Sequence, residues 1–339
     1  MSGVQPHDVD FDKLGSEHHV GPNTLKRLVA AWPRRATVRT DMADFMGSRT
    51  GDPDLEDYPV HLIPFAEHPL FLDASDEKRR LVNTLGWQAY NARVIAAEEY
   101  VANPTFEMLA HGVFPGVERY EAREAMQQSH IDEVWHTYMH MTAMQRTKEA
   151  YDLDVEPDYS HPITNRRLFE LTAGKSEKWE RDILFLVWTV VGELHINNFL
   201  ELLARDTTIQ PMHALVARLH ARDEAAHGPL VAEVMKDIFA HLNAQQRELF
   251  IHTLPDAITA LGAQDYGTWE NLLQFARISG SKEIITDTCS LPDTEMMFTD
   301  FSTVERLVQE LGIEDRVEYD FSVSHETKNS RRRSQAPER

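Results

Sequence analysis

Cysteine is almost missing from this chain of 339 residues: Cys289 stands alone. No internal disulfide can close, which fits a reducing cytoplasm, and its setting (Asp-Thr-Cys-Ser-Leu-Pro-Asp) shows no base motif that would make it a nucleophile. Long apolar runs are missing too. The longest, Ile183 to Val191, is about half the roughly 18 residues that a bilayer span requires, and the first residues lack the basic and apolar regions of a signal peptide. Neither membrane nor export is therefore expected. Positive charge is scarce: 34 Lys and Arg against 55 Asp and Glu leave a net −21, which repels phosphate backbones and argues against a nucleic-acid partner. There is no glycine-rich phosphate loop, no Gly-x-Ser-x-Gly elbow and no internal repeat. Strand signals are sparse as well.

What remains is helix. With 42% hydrophobic residues, the chain has ample material for a core of long helices. Four segments carry the pattern: about Ser75 to Ala102, stopped by Asn103-Pro104; about Arg119 to Tyr151; about Ser176 to Arg205; and Pro211 to about Leu242, with proline at its first turn. At about 1.5 Å per residue each spans about 40 to 50 Å. Shorter helices are predicted from Thr24 to Ala31, after Asn243, and from Ser302 to Leu311, the last with Ser302 and Glu305 as a capping box and Gly312 as its stop. The reading is all-α: a ferritin-like four-helix bundle with accessory helices. Residues 1–20 read as a flexible N-terminal segment, 21–322 as one domain and 323–339 as a disordered basic tail.

Two of the long helices share a motif. The second contains Asp132-Glu133-Val134-Trp135-His136 and the fourth Asp223-Glu224-Ala225-Ala226-His227. A glutamate and a histidine three apart share one helix face, with Cβ atoms about 5 to 6 Å apart, so together they can grip one metal ion. One such pair arises easily by chance; two, on alternate helices of a four-helix pattern, do not. A two-metal bundle also needs one inward glutamate from each remaining helix. The third helix offers Glu193 on a face with Leu186, Val190, Ile196, Asn197 and Leu200, where an ionised carboxylate is costly unless it binds metal. The first offers Glu98 or Glu99, and periodicity favours Glu98 only mildly. Asp132 and Asp223 suit the task of accepting the free N–H of a ligating histidine, though solvated helix acids are an equal reading. His220 lies on the stripe of Glu224 and His227, and His140 lies four residues past His136; by spacing alone both read as ordinary histidines. His213 sits too far upstream to share the site. Carboxylates with imidazoles suit iron or manganese.

These segments resemble the p-aminobenzoate N-oxygenase family of non-haem di-iron arylamine oxygenases. The shared strings extend well beyond the motifs: LVAAWPRRA from residue 28, IPFAEHPLF at 63–71, HGVFPG at 111–116, DEVWHTYMHM at 132–141, LLARDTTIQPMH at 202–213 and LHARDEAAHG at 219–228. They cover about residues 22–322, and the branch most resembled serves chloramphenicol biosynthesis. The resemblance implies seven metal ligands, Glu98, Glu133, His136, Glu193, His220, Glu224 and His227. It thereby selects Glu98 over Glu99 and recruits His220. It further implies two iron ions per chain and O2 as co-substrate. The chemistry it implies runs through a peroxo-di-iron species that takes an arylamine through hydroxylamine and nitroso to nitro. An external electron donor and a homodimer belong to the same expectation, as does an arylamine precursor of chloramphenicol as substrate, with p-aminobenzoate as the alternative. Tyr90, Arg93 and Ala97 near Glu98, with Asn197 and Phe199 after Glu193, are the candidate substrate residues. A ribonucleotide-reductase radical subunit would carry tyrosine where His140 stands, a desaturase lacks these strings, and an iron-storage subunit is about half this length.

Overall fold

The computed structural model describes residues 22–40, 51–159, 162–292 and 294–322, and its architecture is all-α. The expectations for residues 1–20 and 323–339 lie outside the described residues. Helix α1 (Pro22–Arg35) is followed by α2 (Asp76–Ala97), a wide π turn (Glu98–Ala102) and α3 (Asn103–Ala110). Then come α4 (Tyr120–Tyr151), α5 (Ile163–Ala173), α6 (Lys178–Arg205), α7 (Pro211–His241), α8 (Ala244–Gly262), α9 (Tyr266–Phe275), α10 (Ser281–Cys289) and α11 (Ser302–Glu310). Among the described residues only isolated bridges, Glu56 with Ile209 and Ala263 with Met296, resemble β structure.

The four long helices α2, α4, α6 and α7 make the bundle. Helix α6 packs along α7, α7 on α4, α4 on α2, and the π turn closes the ring against α6. Helix α6 is apolar on every side, which is the pattern of a helix surrounded by others. Ile183, Leu184, Leu186, Val187, Trp188, Val190 and Val191 are all buried, and α8, α5 and α11 cover its outer face. Its composition and length would suffice for a membrane span, yet most of that stretch is inside the bundle. At about 1.5–3 kcal/mol for each large apolar side chain removed from water, such a helix is a main source of stability. Gly228 permits a close approach in this pair: a Cβ there would stand 3.3 Å from the Glu193 carbonyl oxygen.

Three helix ends differ from the pattern read in the sequence. The first long helix does not stop at Asn103-Pro104. The π turn takes up one extra residue, the Asn103 N–H bonds back to the Glu98 carbonyl, and Pro104 then sits in the first turn of α3, where its missing N–H costs nothing. Helix α1 runs past Ala31 to Arg35 through Pro33. Pro33 cannot donate to the Val29 carbonyl, and the Gln128 side chain of α4 fills that place at 3.4 Å. The capping box of Ser302 and Glu305 does not form. Ser302 is already helical, and the Asp300 carboxylate accepts its N–H at 3.2 Å. Gly312, at φ +66°, does end α11 as expected.

Candidate metal centre

Each wall of the bundle brings one acidic position to the same level. In α4, Ser129, Asp132, Glu133, His136, Thr137, His140 and Ala143 form the buried stripe, so Glu133 and His136 face inward one turn apart. In α7 the stripe is Val216, His220, Asp223, Glu224 and His227. Helix α6 contributes Glu193, and the π turn begins at Glu98, which is buried while Glu99 is exposed. A one-residue widening of this kind recurs where a helix must redirect a functional side chain.

The structure brings all seven predicted side chains together. Their donor atoms form two groups, each within 4.8 Å: Glu98, His136 and His220 in one, and Glu133, Glu193, Glu224 and His227 in the other. Glu133 and Glu224 lie between the two. His136 Nδ1 is 3.6 Å from one Glu133 oxygen and 3.5 Å from Glu224, while His227 Nδ1 is 2.8 Å from the other Glu133 oxygen and 3.1 Å from Glu224. Glu98 closes one end, 3.2 Å from His220 Nε2, and Glu193 the other, 3.5 Å from His227 Nδ1.

Buried polar atoms in a folded protein almost always have partners. Here Glu98 Oε2, Glu193 Oε2, Glu224 Oε2 and His136 Nδ1 are buried with no hydrogen-bond partner, all at one place. Burial, and then the neighbouring charge of Glu133, drives the Glu98 and Glu193 carboxyls well above their ordinary range. Burial pushes Glu133 and Glu224 the same way, but the surrounding histidines outweigh it and hold both below that range. Four carboxylates crowded out of water are the donor set of a site for cations. Two divalent ions would balance their charge and fill the empty lone pairs, so these residues fit a two-metal centre.

The far nitrogens of the histidines are held by partners. His136 Nε2 meets Asp223 at 3.2 Å, and His227 Nε2 meets Asp132 at 3.2 Å. The pairing is crossed: each motif's aspartate serves the other motif's histidine. His220 is held differently. Asn91 Nδ2 donates to the Trp87 carbonyl at 2.7 Å, so its Oδ1 accepts from His140 Nδ1 at 2.7 Å. His140 Nε2 is then bare and accepts from His220 Nδ1 at 2.9 Å, which leaves His220 Nε2 facing Glu98 and Glu224 with a free lone pair. His140 and Asn91 were not selected by sequence reasoning; the available signals were their polarity on apolar stripes and the four-residue step from His136. His213 lies outside the cluster, stacked on Trp87 with ring centres 4.0 Å apart.

A cavity of about 80 Å³ opens on the cluster, bordered by Glu98, Glu133, Glu193, His220 and Glu224 and walled by Val94, Ala97, Val101, Trp188, Ile196 and Leu261. Of the five candidate substrate residues, only Ala97 borders it. Tyr90 and Arg93 border a neighbouring cavity of about 50 Å³, and Arg93 donates to the Leu261 and Ala263 carbonyls at 2.8 and 3.2 Å. Phe199 packs against Tyr90 with ring centres 5.7 Å apart, and neither Phe199 nor Asn197 borders these cavities. His195 also lines the first cavity. Its Nδ1 bonds the Val191 and Gly192 carbonyls at 3.1 Å, and burial pushes the ring down to about 4, so it stands neutral. Two positions past Glu193, it could have been found only with α6 already placed.

A family model described as p-aminobenzoate N-oxygenase AurF matches residues 20–312. The 4-aminobenzoate N-oxygenase of Streptomyces thioluteus is 45% identical over 306 residues, spanning 90% of this chain and 91% of that protein.

Proposed function

Since the chain belongs to the p-aminobenzoate N-oxygenase family and is an oxygenase, we propose that it oxidises an arylamine to the nitro level with O2 at a di-iron centre held by Glu98, Glu133, His136, Glu193, His220, Glu224 and His227. The observation that carries this reading is the set of three buried carboxylate oxygens and one imidazole nitrogen left without partners at a single point. Asp132 and Asp223 orient the rings of His227 and His136. When bound, the two ions would supply the electrons that reduce O2 and the oxidising power that reaches the amine nitrogen.

The protein's own part is placement and exclusion. The apolar walls hold the aromatic ring and keep water away from the carboxylates, while Glu98, Glu193 and His220 border the same space, so an amine entering it meets the cluster directly. An electron donor outside the chain restores the reduced state. A pair of chains is part of the same reading, supported by the exposed stripe Ile131, Val134, Tyr138 and Met141 on α4.

Two substrates stand. The relative's name supports p-aminobenzoate. The first cavity is walled by apolar side chains and Arg93 is engaged by two carbonyls, which favours an amine uncharged at its far end, such as the arylamine precursor of chloramphenicol. The test loads the protein with iron, reduces it, admits O2 and offers both amines in competition. Two irons per chain and a nitroarene product are expected, with the uncharged amine consumed first. An iron-free protein, or one that leaves both amines intact, overturns the reading.

A further inference from the structure

The segment before the bundle reaches the centre from behind. Helix α1 and the turn after it pack on α4 and α7, and their polar side chains end on the two aspartates that hold His227 and His136. Trp32 Nε1 lies 3.0 Å from both oxygens of Asp132. The Thr37 backbone N–H lies 3.2 Å from both oxygens of Asp223, the Thr37 hydroxyl donates to the same carboxylate, and Arg35 Nη1 reaches it at 3.4 Å. Both aspartates and Thr37 are fully buried. The strap is itself fastened, by Gln128 to the Val29 carbonyl and by Arg222 to the Arg34 carbonyl.

The two supports are unequal, and Arg35 is the one side chain of the strap that reaches toward both. Asp132 takes one indole N–H, with Arg35 no nearer than 3.9 Å; Asp223 takes a backbone N–H, a hydroxyl and a guanidinium. A carboxylate that orients a ligating histidine must stay in place and keep its charge, and buried polar side chains do so only when their remaining lone pairs are filled. Because the aspartates are crossed, Trp32 acts through Asp132 on His227 alone, and Thr37 through Asp223 on His136 alone.

We propose that the 22–40 segment is an outer clamp that governs how tightly each metal ion is held, one ion through Trp32 and the other through Thr37. The proposal rests on the di-iron reading above. Trp32 and Thr37 are positioning residues: neither reaches the ligand atoms.

The test measures iron release from the loaded, full-length protein into an excess of a colorimetric iron(II) chelator. The aspartates that hold ligating histidines are themselves worth about 10- to 100-fold in metal affinity, and Trp32 and Thr37 act through them, one hydrogen bond further out. Trp32→Phe is expected to speed the loss of one iron per chain by about two- to tenfold, the worth of one hydrogen bond, and leave the other at its original rate. Thr37→Val is expected to do the same for the other iron, the double variant for both, and Thr37→Ser to restore the original behaviour because it keeps the hydroxyl. Release rates unchanged in both single variants would overturn the clamp, and so would equal acceleration of both irons by either one, which is general loosening. If the unaltered chain binds no iron, the di-iron reading falls instead, so the two failures are told apart.

Discussion

At the residue scale, the centre depends on side chains that never touch a reacting atom. His140 keeps His220 in the tautomer that offers Nε2, and Asn91 does the same for His140. His140→Phe removes the acceptor and strands a buried N–H, so iron(II) affinity should drop about 10- to 100-fold in an equilibrium titration, while His140→Gln, which retains an acceptor, should lose less. His213 makes a different prediction. It lies between Trp87 and Thr147 with Nδ1 bonded to the Asp57 carbonyl at 2.8 Å, and burial pushes its ring down to about 3 from an ordinary 6.5. The unfolded chain binds its proton first, so the contribution of this residue is whole above pH 6.5 and is lost as pH falls from there toward 3. Between pH 7 and 5 that loss is about 2 kcal/mol. His213→Gln should flatten the decline in melting temperature over that interval; an unchanged slope would contradict it.

At the element scale, the π turn explains why the sequence was misread just where the site begins. The Asn103-Pro104 pair signals a helix end, and in a regular helix it would be one. The extra residue in the turn moves Pro104 to a place that needs no donor and leaves Glu98 at its start, buried beside Glu133 and His220. Deleting Tyr100, which is exposed, should restore regular winding and swing Glu98 out of register. Bound iron should then fall by half or more with little change in helical circular dichroism, and full retention would show that the wide turn is dispensable. The strap was legible only in part. Pro33 belongs to the shared strings, but nothing local says that a proline would leave a carbonyl free for Gln128 and so help dock the helix against α4.

At the scale of the whole molecule, the periodicity of four long segments was enough for the architecture, because α4 and α7 repeat their polar positions at helical spacing and α6 has an apolar middle from Ile183 to Val191. The twin Glu-x-x-His pairs and Glu193 were legible for the same reason: a charge on a buried face has few explanations. Glu98 and His220 were not separable from neighbours by pattern alone and rested on the resemblance. The substrate surroundings were least legible. Tyr90 and Arg93 share a helix with Glu98, but they sit one to two turns away and open on a different cavity, a distinction set by how α8 and α9 pack on the bundle.

The exchange of aspartates between the two motifs means that neither half of the chain is self-sufficient. The first half owns Glu98, Glu133 and His136 but borrows the carboxylate that steadies His136; the second owns Glu193, His220, Glu224 and His227 and borrows in return. Severed in the connection between Tyr151 and Ile163, the two pieces should be blind to iron separately and regain it only when mixed, a reunion that mass spectrometry under non-denaturing conditions would count. On the di-iron reading, such mutual dependence would make assembly the gatekeeper of metallation: the ions would have nowhere to go until both halves had found each other.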